Sequence, residues 1–169
     1  TYSRSMMQDP WNSQRMYENK DGKFVDISKA AGMDAMGYGL SATPGDFNRD
    51  GLVDLYVCND YFIPDFFYLN LGNGKFREAL GDYFKHTSLF SMGSDAADYN
   101  NDGWTDLFTC DMLPTDPRRY ALLQGPPGLD NFMVAQQHGY GPQFMHNALQ
   151  TNRSGQGFSD LAFLTGTAK

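Results

Sequence analysis

Three observations predict an all-β fold assembled from repeated short strands. Eighteen glycines and a 15% share of aromatic residues, most of them Tyr and Phe, suit tight turns between strands better than a helix bundle. Two Asp-rich stretches superimpose without gaps, Gly45-Asp46-Phe47-Asn48-Arg49-Asp50-Gly51-Leu52-Val53-Asp54-Leu55 and Ala97-Asp98-Tyr99-Asn100-Asn101-Asp102-Gly103-Trp104-Thr105-Asp106-Leu107. The same register carries Gly22-Lys23-Phe24 onto Gly74-Lys75-Phe76 and Cys58 onto Cys110, so one period of 52 residues relates all of them.

Within a unit, a first strand is expected over residues 39–43, repeated at 91–95, and leads into the Asp-rich loop. A second strand is expected over 54–59, repeated at 106–110. Residues 66–70 then turn through Leu71-Gly72-Asn73-Gly74 into 75–78, where Asn-Gly is a strong hairpin signal. Four short strands in about fifty residues is the size of one β-propeller blade. A third hairpin sequence, Asn152-Arg153-Ser154-Gly155-Gln156-Gly157-Phe158, is less regular, and Phe158 follows Phe76 by 82 residues, 30 more than the period. That excess places a helical insertion at 111–143. In it, Asp116-Pro117 reads as an N-cap and first helical residue ahead of 118–124, Gly125-Pro126-Pro127-Gly128 ends that helix, and a second short helix is expected over 130–138. Each hairpin Phe precedes the following Asp loop by 22 residues, so a third loop would fall beyond Lys169. Residues 1–169 are therefore expected to hold a partial propeller, about two full blades plus parts of flanking ones, where closed propellers typically have about four to eight. Stacking on other copies or partners is the alternative to a fragment of a longer propeller.

Composition narrows the function classes. Thirteen basic against twenty acidic residues give a net charge of -7, so there is no basic field to attract a phosphate backbone, and nucleic acid is not an expected partner. The most apolar stretch, 61–71, is broken by Pro64 and Asp65, short of the roughly 18 residues of a membrane span. The chain begins at Thr1 with no charged and apolar leader, which reads as a processed chain or a fragment.

The Asp loops carry the chemistry. Asp-x-Asn-x-Asp-Gly-x-x-Asp sets side-chain oxygens at positions 1, 3, 5 and 9, with Gly at position 6 where the backbone must turn sharply. Asp46, Asn48, Asp50 and Asp54, with the carbonyl of Leu52, form one expected Ca²⁺ site; Asp98, Asn100, Asp102 and Asp106, with the carbonyl of Trp104, form the other. Hard cations of this kind take 6 to 8 oxygen ligands, and magnesium would demand stricter octahedral geometry. Carboxylates held about 4 Å apart repel by about 1 kcal/mol per pair in water and about 4 kcal/mol at an effective dielectric of 20, so such a loop needs its cation to close. An EF-hand is rejected because position 12 holds Val57 or Thr109 rather than Glu. Asp50→Ala or Asp102→Ala should weaken calcium binding, while Arg49→Ala, at a non-ligand position, should do little.

These loops and the Asp-Leu strands after them resemble the FG-GAP, or VCBS, repeats of integrin-α-like β-propellers. Phe90-Ser91-Met92-Gly93-Ser94-Asp95, Asp111-Met112-Leu113-Pro114 and Gln143-Phe144-Met145-His146-Asn147-Ala148-Leu149-Gln150 look like secreted bacterial proteins of the ASPIC/UnbV-associated type. The resemblance spans residues 15–166. It implies an exported propeller, extracellular, at the cell surface or periplasmic, with structural calcium; it does not imply a reaction. The function expected is binding of an extracellular protein or glycan ligand, adhesion, or assembly with neighbouring blades or subunits. The alternative is part of a propeller enzyme acting on an extracellular polysaccharide or other polymer, with 111–143 forming part of a cleft.

Other residues receive plainer readings. Cys58 and Cys110 are expected to be free and buried, because a disulfide needs Cα atoms within about 7 Å and equivalent positions of neighbouring blades do not offer that. His86, His138 and His146 fit no compact zinc spacing and are read as structural or surface residues. Asp95 and Asp111 flank the second loop and could form an acid-base carboxylate pair, although a hydrogen-bonding role is preferred. Asn152-Arg153-Ser154 fits the N-glycosylation pattern.

Overall fold

The computed structural model describes residues 12–60, 63–112 and 137–168, with 114, 116, 118, 119, 133 and 135 between them. It is mostly β-sheet. Strands β1 (Tyr17–Lys20) and β2 (Lys23–Asp26) form a hairpin, followed by the one-turn helix α1 (Ser28–Ala31). A four-stranded antiparallel sheet then runs in sequence order through β3 (Gly39–Gly45), β4 (Asp54–Asn59), β5 (Phe66–Gly72) and β6 (Lys75–Glu78), and ends in α2 (Leu80–Tyr83). After β7 (Thr87–Ser88), a second antiparallel sheet uses β8 (Ser91–Ala97), β9 (Asp106–Asp111), β11 (Ala148–Asn152) and β12 (Phe158–Asp160), followed by α3 (Ala162–Thr165). Strand β10 (Gln143–Phe144) leaves this order and pairs in parallel with β7.

The repeat extends to details that the sequence pattern did not reveal. The first strand of each sheet runs two residues longer than expected, and its pairing with the second carries a register shift at the equivalent place, Gly39/Ser41 and Ser91/Gly93. All three hairpins turn on a pair of left-handed residues, Asp21 and Gly22, Asn73 and Gly74, Ser154 and Gly155, the conformation that favours Asn and Gly in two-residue turns. Helices α1, α2 and α3 fall in the same register. Each is one turn long, too short for an amphipathic period, and an acid two residues before it takes its first N–H: Asp26 from Ser28 (2.9 Å), Glu78 from Leu80 (2.8 Å) and Asp160 from Ala162 (2.8 Å).

Packing follows this layering. The sheets meet along β3 and β8, where the Thr43 hydroxyl donates to the Ser94 carbonyl (2.9 Å) and lies 2.7 Å from its hydroxyl. The largest core cluster draws Phe47, Tyr56, Cys58, Phe67 and Phe84 from the first unit and Leu107 and Phe158 from the second. Phe84 and Phe158 stack at 4.3 Å, with Phe67 edge-on to both. On the other face of the first sheet, Val57 and Tyr68 pack with Ala31 and Met33 of the N-terminal unit. Among the described residues, the other face of the second sheet carries a smaller cluster of Leu149, Ala162 and Ala168 with Phe108 beside them.

Most of the expected insertion helices, at 118–124 and 130–138, lie outside the described residues. Residues 118, 119, 133, 135 and 137 have helical backbone, and Asp116 accepts the Arg118 N–H at 2.8 Å.

Candidate metal centres

Each Asp loop joins the first two strands of a sheet, and the two are held by matching hydrogen bonds. In the first, Asp46 accepts the N–H groups of Asp50 (3.1 Å) and Gly51 (3.0 Å), Asn48 accepts from Asp50 (3.0 Å), and Asp50 accepts from Leu52 (2.8 Å) and the Asn48 amide (2.8 Å). In the second, Asp98 accepts from Asp102 (3.0 Å) and Gly103 (2.8 Å), Asn100 from Asp102 (2.9 Å), and Asp102 from Trp104 (2.8 Å) and the Asn100 amide (3.0 Å). Arg49 and Asn101 are left-handed at position 4 and Gly51 and Gly103 at position 6, which curls the backbone around the side chains.

The position-9 residues anchor the loops. Asp54 is fully buried and bridges the Asn70 N–H (2.8 Å) and the Phe47 N–H (3.2 Å); Asp106 does the same for Asn152 (2.7 Å) and Tyr99 (3.2 Å). Burial pushes both carboxyls up, backbone hydrogen bonds oppose it, and the facing carboxylates of Asp50 and Asp46, or Asp102 and Asp98, push further up. That mutual repulsion and the all-oxygen donor set fit a hard divalent cation.

The loops also touch each other. The Arg49 guanidinium lies over the Trp104 ring at 5.0 Å, so this position 4 side chain is not idle as the loop spacing alone implied. Trp104 also meets the third hairpin, where a Cβ on left-handed Gly155 would come within 2.9 Å of the ring. Asn152 of β11 donates to the carbonyls of both Phe47 (2.8 Å) and Thr105 (3.1 Å), tying the base of one loop to the other.

The cysteine expectation is corrected. Cys58 and Cys110 are both free, but Cys110 is exposed: Cys58 faces the second sheet, and among the described residues no such layer covers Cys110. For Asp95 and Asp111 the preferred hydrogen-bonding reading holds: Asp95 pairs opposite Phe108 and Asp111 opposite Ser91, at different places on the β8–β9 ladder. Asp111 accepts from Ser88 (2.5 Å), Leu89 (3.0 Å) and Phe90 (3.2 Å).

A site that sequence spacing missed lies at the other end of the second unit. His86 Nε2 is 3.0 Å and His146 Nε2 2.7 Å from the same atom, Asp160 Oδ2. Among the described residues, these three are the one set of His, Cys, Asp or Glu side chains whose ligand atoms all lie within 4.8 Å of one another; the three carboxylates of either Asp loop are not gathered that closely. Burial raises the Asp160 carboxyl, but hydrogen bonds from His86, His146 and the backbone of Ala162 and Leu149 outweigh it and hold it well below the usual carboxylate range. His86 also lines a cavity of about 280 Å³ bounded by Pro64, Glu78, Tyr140 and Pro142. Sixty residues separate the two histidines, so no local spacing could announce them.

The FG-GAP-like repeat family matches residues 6–57. That stretch contains the first hairpin, α1, β3, the first Asp loop and most of β4. Such integrin-α-like repeats are generally extracellular ligand-binding or adhesion modules. The chain is also similar to Cartilage acidic protein 1 of Xenopus tropicalis, 37% identical over an alignment of 103 residues that covers 55% of this chain. The match spans 15% of that protein's length. No helix among the described residues is long and apolar enough to cross a membrane.

Proposed function

We propose that the two sheets are neighbouring blades of an integrin-α-like propeller, that each Asp loop holds one Ca²⁺, and that the chain serves extracellular ligand binding, adhesion or assembly rather than catalysis. The observation that carries the reading is the matching pattern of backbone N–H groups that fix Asp46, Asn48 and Asp50 in one loop and Asp98, Asn100 and Asp102 in the other. Such a pattern fixes the loop backbone around the oxygen donors, so the ion bound by Asp46, Asn48, Asp50, Asp54 and the Leu52 carbonyl, or by Asp98, Asn100, Asp102, Asp106 and the Trp104 carbonyl, has only to draw the carboxylates closer together. Calcium in this role relieves carboxylate repulsion and stiffens the junction that Arg49, Trp104 and Asn152 build between the units. The family match and the similarity to Cartilage acidic protein 1 support an exported setting, and the bacterial ASPIC/UnbV-associated type remains the finer assignment proposed from the sequence. The segment 111–143 and the loops then offer ligand contacts.

Thermal melting of the chain in calcium, in chelator and in magnesium tests the reading. A calcium-specific rise in midpoint, reduced by Asp50→Ala and by Asp102→Ala, is expected. An unchanged midpoint in a folded chain would reduce both loops to hydrogen-bonded turns.

A further inference from the structure

The geometry points to a second kind of metal site, in which His86, His146 and Asp160 bind a borderline divalent cation such as zinc. Two imidazoles and one carboxylate are the wrong set for calcium, which takes oxygens, and the right one for zinc, whose open sites use three protein ligands of this type and leave a position for water or an incoming ligand. Ligand atoms around a tetrahedral zinc at about 2.0–2.1 Å stand about 3.3 Å from one another. The present N···O separations of 3.0 and 2.7 Å are of that order, so binding requires small ring shifts and no backbone rearrangement.

The surroundings hold the donors in place. Asp160 keeps Oδ1 on the N–H groups of Leu149 (3.1 Å) and Ala162 (2.8 Å), which leaves Oδ2 aimed at both imidazoles. The His86 ring packs against Phe144 (5.2 Å between centroids) and the His146 ring against Phe163 (4.9 Å), an apolar wall that restricts ring rotation. Side-chain exposure is 8% for His146 and 7% for Asp160 but 21% for His86, so entry is from the His86 side.

The three donors come from three separate segments: the link from α2 to β7, the link from β10 to β11, and the end of β12. An ion there clasps the exit of the 111–143 excursion, through His146, to the body of the second sheet. This role is independent of the calcium loops.

Zinc chloride is titrated into the intact chain by calorimetry with calcium held saturating, and cobalt(II) is added in parallel as an absorbing substitute. One equivalent of zinc should bind, with cobalt bands in the visible region. His146→Asn and His86→Asn should each lower zinc affinity at least tenfold. Asp160→Asn keeps an oxygen to cap α3 and should lose affinity with little change in the calcium-dependent melt, while His138→Asn should change nothing. Absence of zinc binding, or binding that survives His146→Asn or is lost with His138→Asn, would overturn the site and leave the trio as a hydrogen-bonded His-Asp-His cluster.

Discussion

Asp65 is a buried carboxylate placed where the fold already displays an uncharged alternative, and Asp65→Asn exploits this. Its Oδ2 accepts the hydroxyls of Tyr56 (2.6 Å) and Ser91 (2.7 Å), and its Oδ1 accepts the Asn59 N–H (2.8 Å), so it links both sheets. Burial pushes its carboxyl up from 3.8 to about 6, against these three hydrogen bonds. At about 1.4 kcal/mol per pH unit, the ionised form at neutral pH is disfavoured by about 3 kcal/mol relative to the same group in an unfolded chain. The equivalent residue in the second unit, 82 positions on, is Asn147, whose Oδ1 accepts the Asp111 N–H at 2.9 Å in the same geometry. Asp65→Asn therefore keeps one acceptor and removes the charge, and its loss of the two hydroxyl contacts is offset by the charge relief. Stability at pH 7 should stay within about 1 kcal/mol of the parent, whereas Asp65→Ala strands three buried donors and should cost about 3 kcal/mol or more. The sign of the pH effect follows from the raised value. Between about 3.8 and 6 the folded chain holds a proton that the unfolded chain has released, so stability falls as pH rises through that window. Moving from pH 7 to pH 5 should return about 1.4 kcal/mol to the parent and none of that component to Asp65→Asn. Urea unfolding of the three proteins at both pH values in saturating calcium measures this. An Asn variant as unstable as the Ala variant, or one with the parent's pH dependence, would refute the account.

Arg49→Ala should lower stability by about 0.5–1 kcal/mol, the value of an exposed guanidinium over an indole, and a double-mutant cycle with Trp104→Ala should show the two effects are not additive. Phe84→Ala removes a ring stacked on Phe158 between the sheets and should cost about 3–5 kcal/mol in chemical denaturation. In chelator, the raised Asp54 and Asp106 carboxyls mean that acidification from pH 7 to 5 should raise the melting midpoint, since the folded chain then binds more protons than the unfolded one; in calcium the direction should reverse, because protons compete with the ion. Asp65→Asn is the background for that comparison, as it removes another buried acid titrating in the same direction; Asp111, which burial also raises, stays common to both arms. An aromatic disulfide reagent should modify Cys110 in the folded chain and Cys58 only on unfolding, because Cys58 is buried and its thiol is pushed up to about 12.

What could be read from the sequence was whatever the repeat wrote locally. Asp46 to Asp54 and their copies, the Asn73-Gly74 turn and the β4 and β9 strands each carry their signal within a dozen residues. The one-turn helices do not, since four residues show no period, and the two-residue β7–β10 pair is defined only by how the 111–143 excursion returns. The Cys110 expectation failed for a physical reason. Sequence equivalence carries a residue's place in its own sheet, but burial depends on the layer beside it. Phe47 is 1% exposed beneath the second sheet, while Tyr99, its counterpart 52 residues on, is 47% exposed, and Thr43 and Asp95 differ in the same way. The Arg49 contact is hidden from local spacing in the same way, because its partner Trp104 belongs to the neighbouring unit.

The acid that precedes each one-turn helix explains how a repeat can gain a site without loss to the fold. In all three units the position is acidic, and one oxygen takes the helix N–H. Glu78 Oε1 and Asp160 Oδ1 go further, each also accepting the N–H of the equivalent residue in the adjacent strand, Phe67 (3.3 Å) and Leu149 (3.1 Å). The structural duty thus falls on one oxygen, and the second is free to differ between units. Asp26 turns it to Arg15 at 2.9 Å, an exposed ion pair that contributes little. Asp160 turns it to two imidazoles. A carboxylate already oriented by the scaffold needs only suitable donors from nearby loops to become a metal ligand, and His86 and His146 arrive on links whose paths the sheets do not dictate. Conservative substitution separates the two duties: replacing Asp160 by Asn should leave α3 capped while removing the ligand charge, whereas Asp160→Ala should loosen α3 as well.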